Sequence, residues 1–163
     1  SGSDTFNAIL YSEFINIVSE EFKPTSFIGH SVGAMALVVF LQKQTYMHAE
    51  KVVLLGSPSG FKGIMKRYKE MMGYSQRIYK GIDTQIELKF GHPPHYFSTA
   101  DFVKNIPIKG LLIHDKKDRV IPYQDALDID AQFKNAKLIS TEGLGHSLKG
   151  DFVSDEIIKF LSH

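Results

Sequence analysis

Phe27-Ile28-Gly29-His30-Ser31-Val32-Gly33-Ala34 joins a short apolar run, Ser26 to Ile28, to a longer one, Met35 to Leu41. Its centre, Gly29-His30-Ser31-Val32-Gly33, is a G-x-S-x-G pattern. It reads as a strand turning sharply into a helix with Ser31 at the apex. Glycines flank the apex because backbone packs on backbone there and leaves no room for side chains. Such a turn lifts the Ser31 hydroxyl off the sheet. It also sets the residue at a helix N-terminus, where unpaired N–H groups favour developing negative charge. A plain Gly/Ser turn would share these letters, so a nucleophile at Ser31 needs a base and an acid elsewhere in the chain.

The chain has 163 residues, enough for one domain with a sizeable core. With 43% hydrophobic and 23% charged residues, its composition is that of an ordinary globular protein. A net charge of +1 argues against a nucleic-acid partner, and the basic pairs Lys66-Arg67 and Lys116-Lys117 read as solvated surface. There is no cysteine, which excludes disulfides, zinc–thiolate sites and a cysteine nucleophile. No apolar run approaches the ~18 residues of a membrane span. Ser1-Gly2-Ser3 reads as a cloning scar and is left out of the fold argument. The compartment expected is the cytoplasm.

From Asp4, a possible helix cap, Phe6, Ile9, Leu10, Phe14, Ile17, Val18 and Phe22 recur at three- and four-residue spacing and predict an amphipathic helix ended by Lys23-Pro24-Thr25. The helix after Ser31 should run from Val32 to about Thr45, apolar on most sides and so buried. Lys51 to Leu55 reads as a buried parallel strand. Residues 61–106 change character, with helical patches at Ile64–Met72, Gln76–Ile82 and Gln85–Phe90 divided by Gly73, Gly81, Gly91 and Pro93-Pro94. They read as a small helical insertion in one domain covering 4–163. Strands follow at Ile108–His114 and Ala136–Ser140, with helices at Tyr123–Phe133 and Asp151–Leu161. The alternation predicts an α/β fold, a mostly parallel sheet of about four strands with helices on both faces.

A serine nucleophile needs an adjacent base. Of seven histidines, His48 lies in a polar loop and His163 is terminal. His114 ends an apolar run and reads as a hydrogen-bonded structural residue. His92-Pro93-Pro94-His95 cannot adopt the helical spacing that usually presents metal ligands, so no metal site is expected. His30 sits on the turn itself and is expected to pack or line the site. His146 follows the fourth strand in Thr141-Glu142-Gly143-Leu144-Gly145-His146-Ser147, a loop at the strand end where open parallel sheets gather their chemistry. It is the favoured base. The acid must fix the imidazole tautomer from a neighbouring loop. His114-Asp115-Lys116-Lys117-Asp118-Arg119-Val120-Ile121-Pro122 offers Asp115, at the tight start of the turn, and Asp118, on its far side and favoured.

These three stretches, in the order Ser, Asp, His, resemble the signature regions of the alpha/beta-hydrolase fold family over nearly the whole chain after the scar. The resemblance implies Ser31 as nucleophile, Asp118 as acid, His146 as base, the Val32 N–H as one oxyanion donor, and residues 61–106 as the cap. The departures are Asp115, where the family often has glycine, and the front of the chain. Only one helix precedes the elbow strand, and no His-Gly or Gly-Gly run is found before Ser26 to supply the second oxyanion donor. The expectation is a C-terminal portion of the fold, with weakened turnover and with the elbow strand a bare edge inviting self-association.

The function expected is a serine hydrolase acting on a small-molecule ester, thioester or other acyl bond, without cofactor. His30, Met65, Tyr68 and Met72 are the expected substrate contacts; Met71, Tyr74, Tyr79, Tyr96 and Phe97 are further apolar cap residues. Acyl transfer with the same three residues is a neighbouring reading. A non-catalytic, self-associating α/β module is the alternative from another class. A nucleotide-binding domain is disfavoured, since Gly29 to Gly33 lacks a phosphate-loop lysine and no G-x-G-x-x-G occurs.

Overall fold

Four apolar runs pair as parallel strands, and helices fill the chain between them. The computed structural model describes residues 8–43 and 45–163. Along the chain these form α1 (Ala8–Phe22), β1 (Ser26–His30), α2 (Val32–Leu41), β2 (Lys51–Leu55), α3 (Phe61–Met72), α4 (Gln76–Phe90), α5 (Thr99–Phe102), β3 (Lys109–Asp115), α6 (Tyr123–Asp130), β4 (Ala136–Thr141) and α7 (Asp151–Ser162). The sheet order is β1-β2-β3-β4, all pairs parallel. Ile28 pairs with Val53, Val53 with Leu111, and Leu111 with Lys137. Because sequential strands lie side by side, the loops leaving β1, β3 and β4 open at one end of the sheet.

The two central strands are buried on both faces, which explains their unbroken apolar sequence. One face packs Phe27, Val52, Leu54 and Leu112 with Phe40 of α2, Ile129 of α6 and Phe133. The other packs Val53, Leu111 and Ile113 with Leu148 and Val153 of α7. Phe40 and Phe133 are each 1% exposed, and side chains buried so fully contribute about 1.5–3 kcal/mol apiece. A third cluster joins Met35 and Ala36 of α2 to Ala8 of α1, Ile64 of α3 and Phe97.

β1 differs. Its exposure alternates, with Phe27 buried and Ile28 half exposed at 52%, and it forms one margin of the sheet. Helix α1 packs on α2 through only part of its apolar residues, with Ile9 and Ile15 half-buried against the clusters that α2 builds. The buried residues of α1 are Ala8, Ser12 and Ser19. Phe14, Ile17 and Phe22 are turned outward, at 61%, 66% and 77% exposure. The buried Ser12 hydroxyl is satisfied by donating to the Ile9 carbonyl at 2.7 Å. The expected cap at Asp4 and the apolar Phe6 lie outside the described residues.

Other expectations shift. Helix α2 stops at Leu41, short of Thr45, where polar Gln42 and Lys43 replace the apolar run; the Gln42 N–H still donates to the Val38 carbonyl. Gly81 does not divide the helical region. It lies inside α4, where an added Cβ would meet nothing within 4 Å, so the glycine costs helix propensity without breaking the helix. Gly73 and Gly91 do end helices, each in the left-handed conformation.

Candidate active site

Ser31 follows the last residue of β1 and precedes the first of α2, so strand and helix meet at a single residue. That junction forces φ 55° and ψ −126° on a non-glycine residue, a sparsely populated conformation held by its surroundings. The Ser31 N–H donates to the Leu55 carbonyl at 2.9 Å, continuing the β1–β2 ladder, and its carbonyl accepts from the Ala34 N–H at 3.0 Å. Of the two flanking glycines only Gly29 is required by space. A Cβ there would lie 2.7 Å from the Ala34 Cα. At Gly33 it would meet only the Tyr11 ring edge, at 3.6 Å, an ordinary contact, so the expected backbone-on-backbone packing exists on one side of the apex alone.

Two loops build toward the Ser31 hydroxyl. His146, in the short turn after β4, brings Nε2 to 3.0 Å from Ser31 Oγ. Its Nδ1 lies 2.7 Å from Asp118 Oδ2. With Nδ1–H donating to the carboxylate, Nε2 is left as the acceptor facing the hydroxyl. The Asp118 side chain is wholly buried, and that of His146 is 20% exposed. Asp118 Oδ1 accepts the Val120 and Ile121 N–H groups at 2.7 and 3.0 Å, so the loop after β3 closes on its own carboxylate and aims the other oxygen at His146.

Of the two aspartates in that loop, it is Asp118 that meets the imidazole. Asp115 is occupied otherwise. Its Oδ1 accepts the Lys117 N–H at 2.9 Å, and its Oδ2 accepts the Thr141 hydroxyl at 2.9 Å and the Leu144 N–H at 2.8 Å. Burial alone would raise its pKa. The N–H groups of Leu144, Lys117 and Gly143 and the Thr141 hydroxyl outweigh burial and hold the carboxyl at about 2.

Two further histidines also touch this arrangement. His30 Nε2 donates to the His146 carbonyl at 2.7 Å, and the two rings lie 4.8 Å apart. His114, 2% exposed, donates Nε2–H to the Ile121 carbonyl at 2.9 Å, as a structural histidine should. The same nitrogen is 3.5 Å from Asp118 Oδ2, a contact foreshadowed only by the four-residue spacing. Gly56, at φ 53°, leaves the space beside His146 open; a Cβ there would sit 3.4 Å from the imidazole.

The expected substrate contacts are not drawn in together. Tyr68 and Met72 are 53% and 56% exposed, and Met65 is half-buried. Ile64 and Phe61, at the start of α3, are the residues that join the cluster holding Met35 and Val32. The stripe Phe61, Ile64, Tyr68, Met72 is continuous in sequence, but only its first turn rests on the body. Phe97, Ile86 and Phe90 complete the apolar contact around Met35. Spacing within α3 could not show where its support ends. Among the described residues, no group of three or more His, Cys, Asp or Glu could hold a metal ion, and no helix is long and apolar enough to cross a membrane.

No family model matches the chain, and no curated protein sequence does. Solved structures do match. A lipase-esterase related protein from Clostridium acetobutylicum superposes with TM-score 0.69 at 20% identity, over 98% of this chain and 78% of its own. An alpha/beta hydrolase enzyme from a lagoon-sediment metagenome gives TM-score 0.68 at 16% identity, over 96% and 70%. The esterase domain of a Rhodothermus marinus protein gives 0.65 at 16%, over 90% and 65%. The chain thus spans roughly two thirds to three quarters of these neighbours' lengths. At these identities the likeness defines the fold: this chain has the alpha/beta-hydrolase fold.

Proposed function

We propose that the chain is a serine hydrolase of acyl bonds, with Ser31 as nucleophile, His146 as general base and then acid, and Asp118 as the carboxylate that orients His146. One observation carries this reading: Ser31 Oγ, His146 and Asp118 form an unbroken chain of hydrogen bonds of 3.0 and 2.7 Å from the β1–α2 junction through the loops after β4 and β3. The esterase- and lipase-related neighbours are consistent with it.

Ser31 Oγ attacks the acyl carbon while its proton moves to His146 Nε2. The imidazolium so formed is stabilised by the Asp118 carboxylate through Nδ1–H. The carbonyl oxygen gathers negative charge beside the Val32 N–H, the first of α2, where the helix dipole favours it. Collapse breaks the bond to the leaving group, which takes the Nε2 proton and departs, leaving an acyl ester on Ser31. Water, deprotonated by His146, attacks that ester; the acid leaves and the proton returns to Ser31 Oγ. An acceptor alcohol or thiol in place of water would make the reaction acyl transfer.

Residues 4–163 form, in this proposal, one domain in which 61–106 cap the site. The cluster of Val32, Met35, Phe61 and Phe97, joined to Ser31 along the chain through Val32, supports an apolar acyl group. The unpaired margin of β1, with Ile28 and the outward residues of α1, supports self-association. The test of the activity is turnover of p-nitrophenyl esters of increasing acyl length. The expected result is hydrolysis that Ser31→Ala removes; equal rates in the two proteins would contradict the proposal.

A further inference from the structure

The loop after β3 carries Asp118 and the loop after β4 carries His146, so their 2.7 Å contact depends on how two separate loops are held together. One side chain bonds to both. The Asp115 backbone carbonyl accepts the Asp118 N–H at 3.1 Å, and Asp115 Oδ1 accepts the Lys117 N–H, which shapes the turn that presents Asp118. Asp115 Oδ2 reaches across to the Thr141 hydroxyl and the Leu144 N–H, two residues before His146.

Asp115 is wholly buried, and among the described residues no basic side chain pairs with it. A buried carboxylate is costly to desolvate unless directed donors compensate it. Here the donors come from both loops, so the compensation holds only while the loops keep their mutual position. The other side-chain tie between the loops, Lys117 Nζ to Glu142 Oε1 at 2.8 Å, is more than half exposed on both partners and adds little. From the opposite side His30 holds the His146 carbonyl, so the segment 144–146 is gripped at both ends.

We propose that Asp115 is a positioning residue that sets the separation of Asp118 and His146. It touches no reacting atom and acts through the imidazole. This rests on the hydrolase reading for its effect on turnover, but its effect on the Asp118–His146 hydrogen bond can be read without turnover. Asp115→Asn turns an N–H toward donors on one loop and so releases it. A misplacement on the scale of 1 Å in such a site costs about 100-fold in rate.

The experiment measures ester turnover and the proton NMR resonance of His146 Nδ1–H in the wild-type chain and in Asp115→Asn, at temperatures where circular dichroism shows both folded. The expected result is a fall in kcat of about 100-fold with KM little changed, and loss of the Nδ1–H resonance through solvent exchange. A lowered melting temperature with kcat and the resonance both retained would make Asp115 merely structural and overturn the proposal. If Asp115→Asn does not fold, Thr141→Val carries the test: a reduced kcat with faster Nδ1–H exchange supports it, and no change in either overturns it. Absence of Ser31-dependent turnover in the wild-type chain would instead defeat the hydrolase reading, while the resonance would still report on Asp115.

Discussion

The site has two unlike halves. Asp118 and His146 stand on the loops after β3 and β4, with the Asp118 carboxylate wholly buried and each loop tied to the other through Asp115. Ser31 follows β1, one margin of the sheet as β4 is the other, beside a half-exposed Ile28 and an α1 that turns Phe14, Ile17 and Phe22 outward. The imidazole and its carboxylate are therefore held by polar contacts between two loops at the end of the sheet, whereas Ser31 is held by backbone strain at a single residue. A site can be rigid in two ways, through hydrogen bonds that fix a side chain or through a junction that leaves the chain no alternative. The two should respond differently to mutation.

The largest effect is expected where the halves meet. Ser31→Ala should lower kcat for an activated ester by about 10⁴–10⁶-fold with little change in folding, measured by steady-state turnover and thermal melting. Asp118→Asn should cost about 10⁴-fold, because the amide favours the wrong imidazole tautomer. If it cost nothing, the buried half would be a packing arrangement only.

On the strained half the effect moves to stability. Gly29→Ala places a methyl 2.7 Å from the Ala34 backbone and should destabilise the fold by about 1–3 kcal/mol in urea, more than Gly33→Ala, whose Cβ would meet only the Tyr11 ring edge. Equal losses at both positions would contradict the one-sided packing of the elbow.

The buried half should show itself through acid. With the Asp115 carboxyl at about 2 in the folded chain, against 3.8 in the free residue, folding favours its ionised form. The resulting stability is complete above the unfolded value and is lost as pH falls toward 2. Asp115→Asn should flatten that part of the stability–pH curve, measured by melting temperature between pH 4 and pH 2. The smallest effect is expected at the open margin. Ile28→Lys should change stability by no more than about 0.5 kcal/mol, while reducing any association seen by light scattering at high concentration.

Much of this was readable beforehand, for identifiable reasons. Ser31, Asp118 and His146 each follow a strand in a stretch whose residues carry the signal locally, and order and spacing single out three side chains that the fold brings within hydrogen-bond distance. The central strands were legible because burial on both faces leaves an unbroken apolar run. What escaped depends on partners distant in sequence. The stripe Phe14, Ile17, Phe22 reads as a buried face, yet the contact with α2 is made by Ala8, Ser12 and Ser19 with Ile9 and Ile15 half-buried beside them. Tyr68 and Met72 share a stripe with Ile64, but α3 outruns the surface that supports it. Asp115 reads from sequence as the rival acid and as a turn-starting aspartate that bonds its own backbone, which its Lys117 contact matches; its donors at Thr141, Gly143 and Leu144 lie beyond the loop, and nothing at position 115 announces them.

The most direct test is covalent. A fluorophosphonate reacts only with a serine whose hydroxyl is activated by a base, and intact mass followed by peptide mapping locates the adduct. A single adduct on Ser31, abolished in His146→Ala and strongly slowed in Asp118→Asn, is the predicted result. An unmodified Ser31 in the folded chain, or labelling that persists unchanged in His146→Ala, would contradict the account.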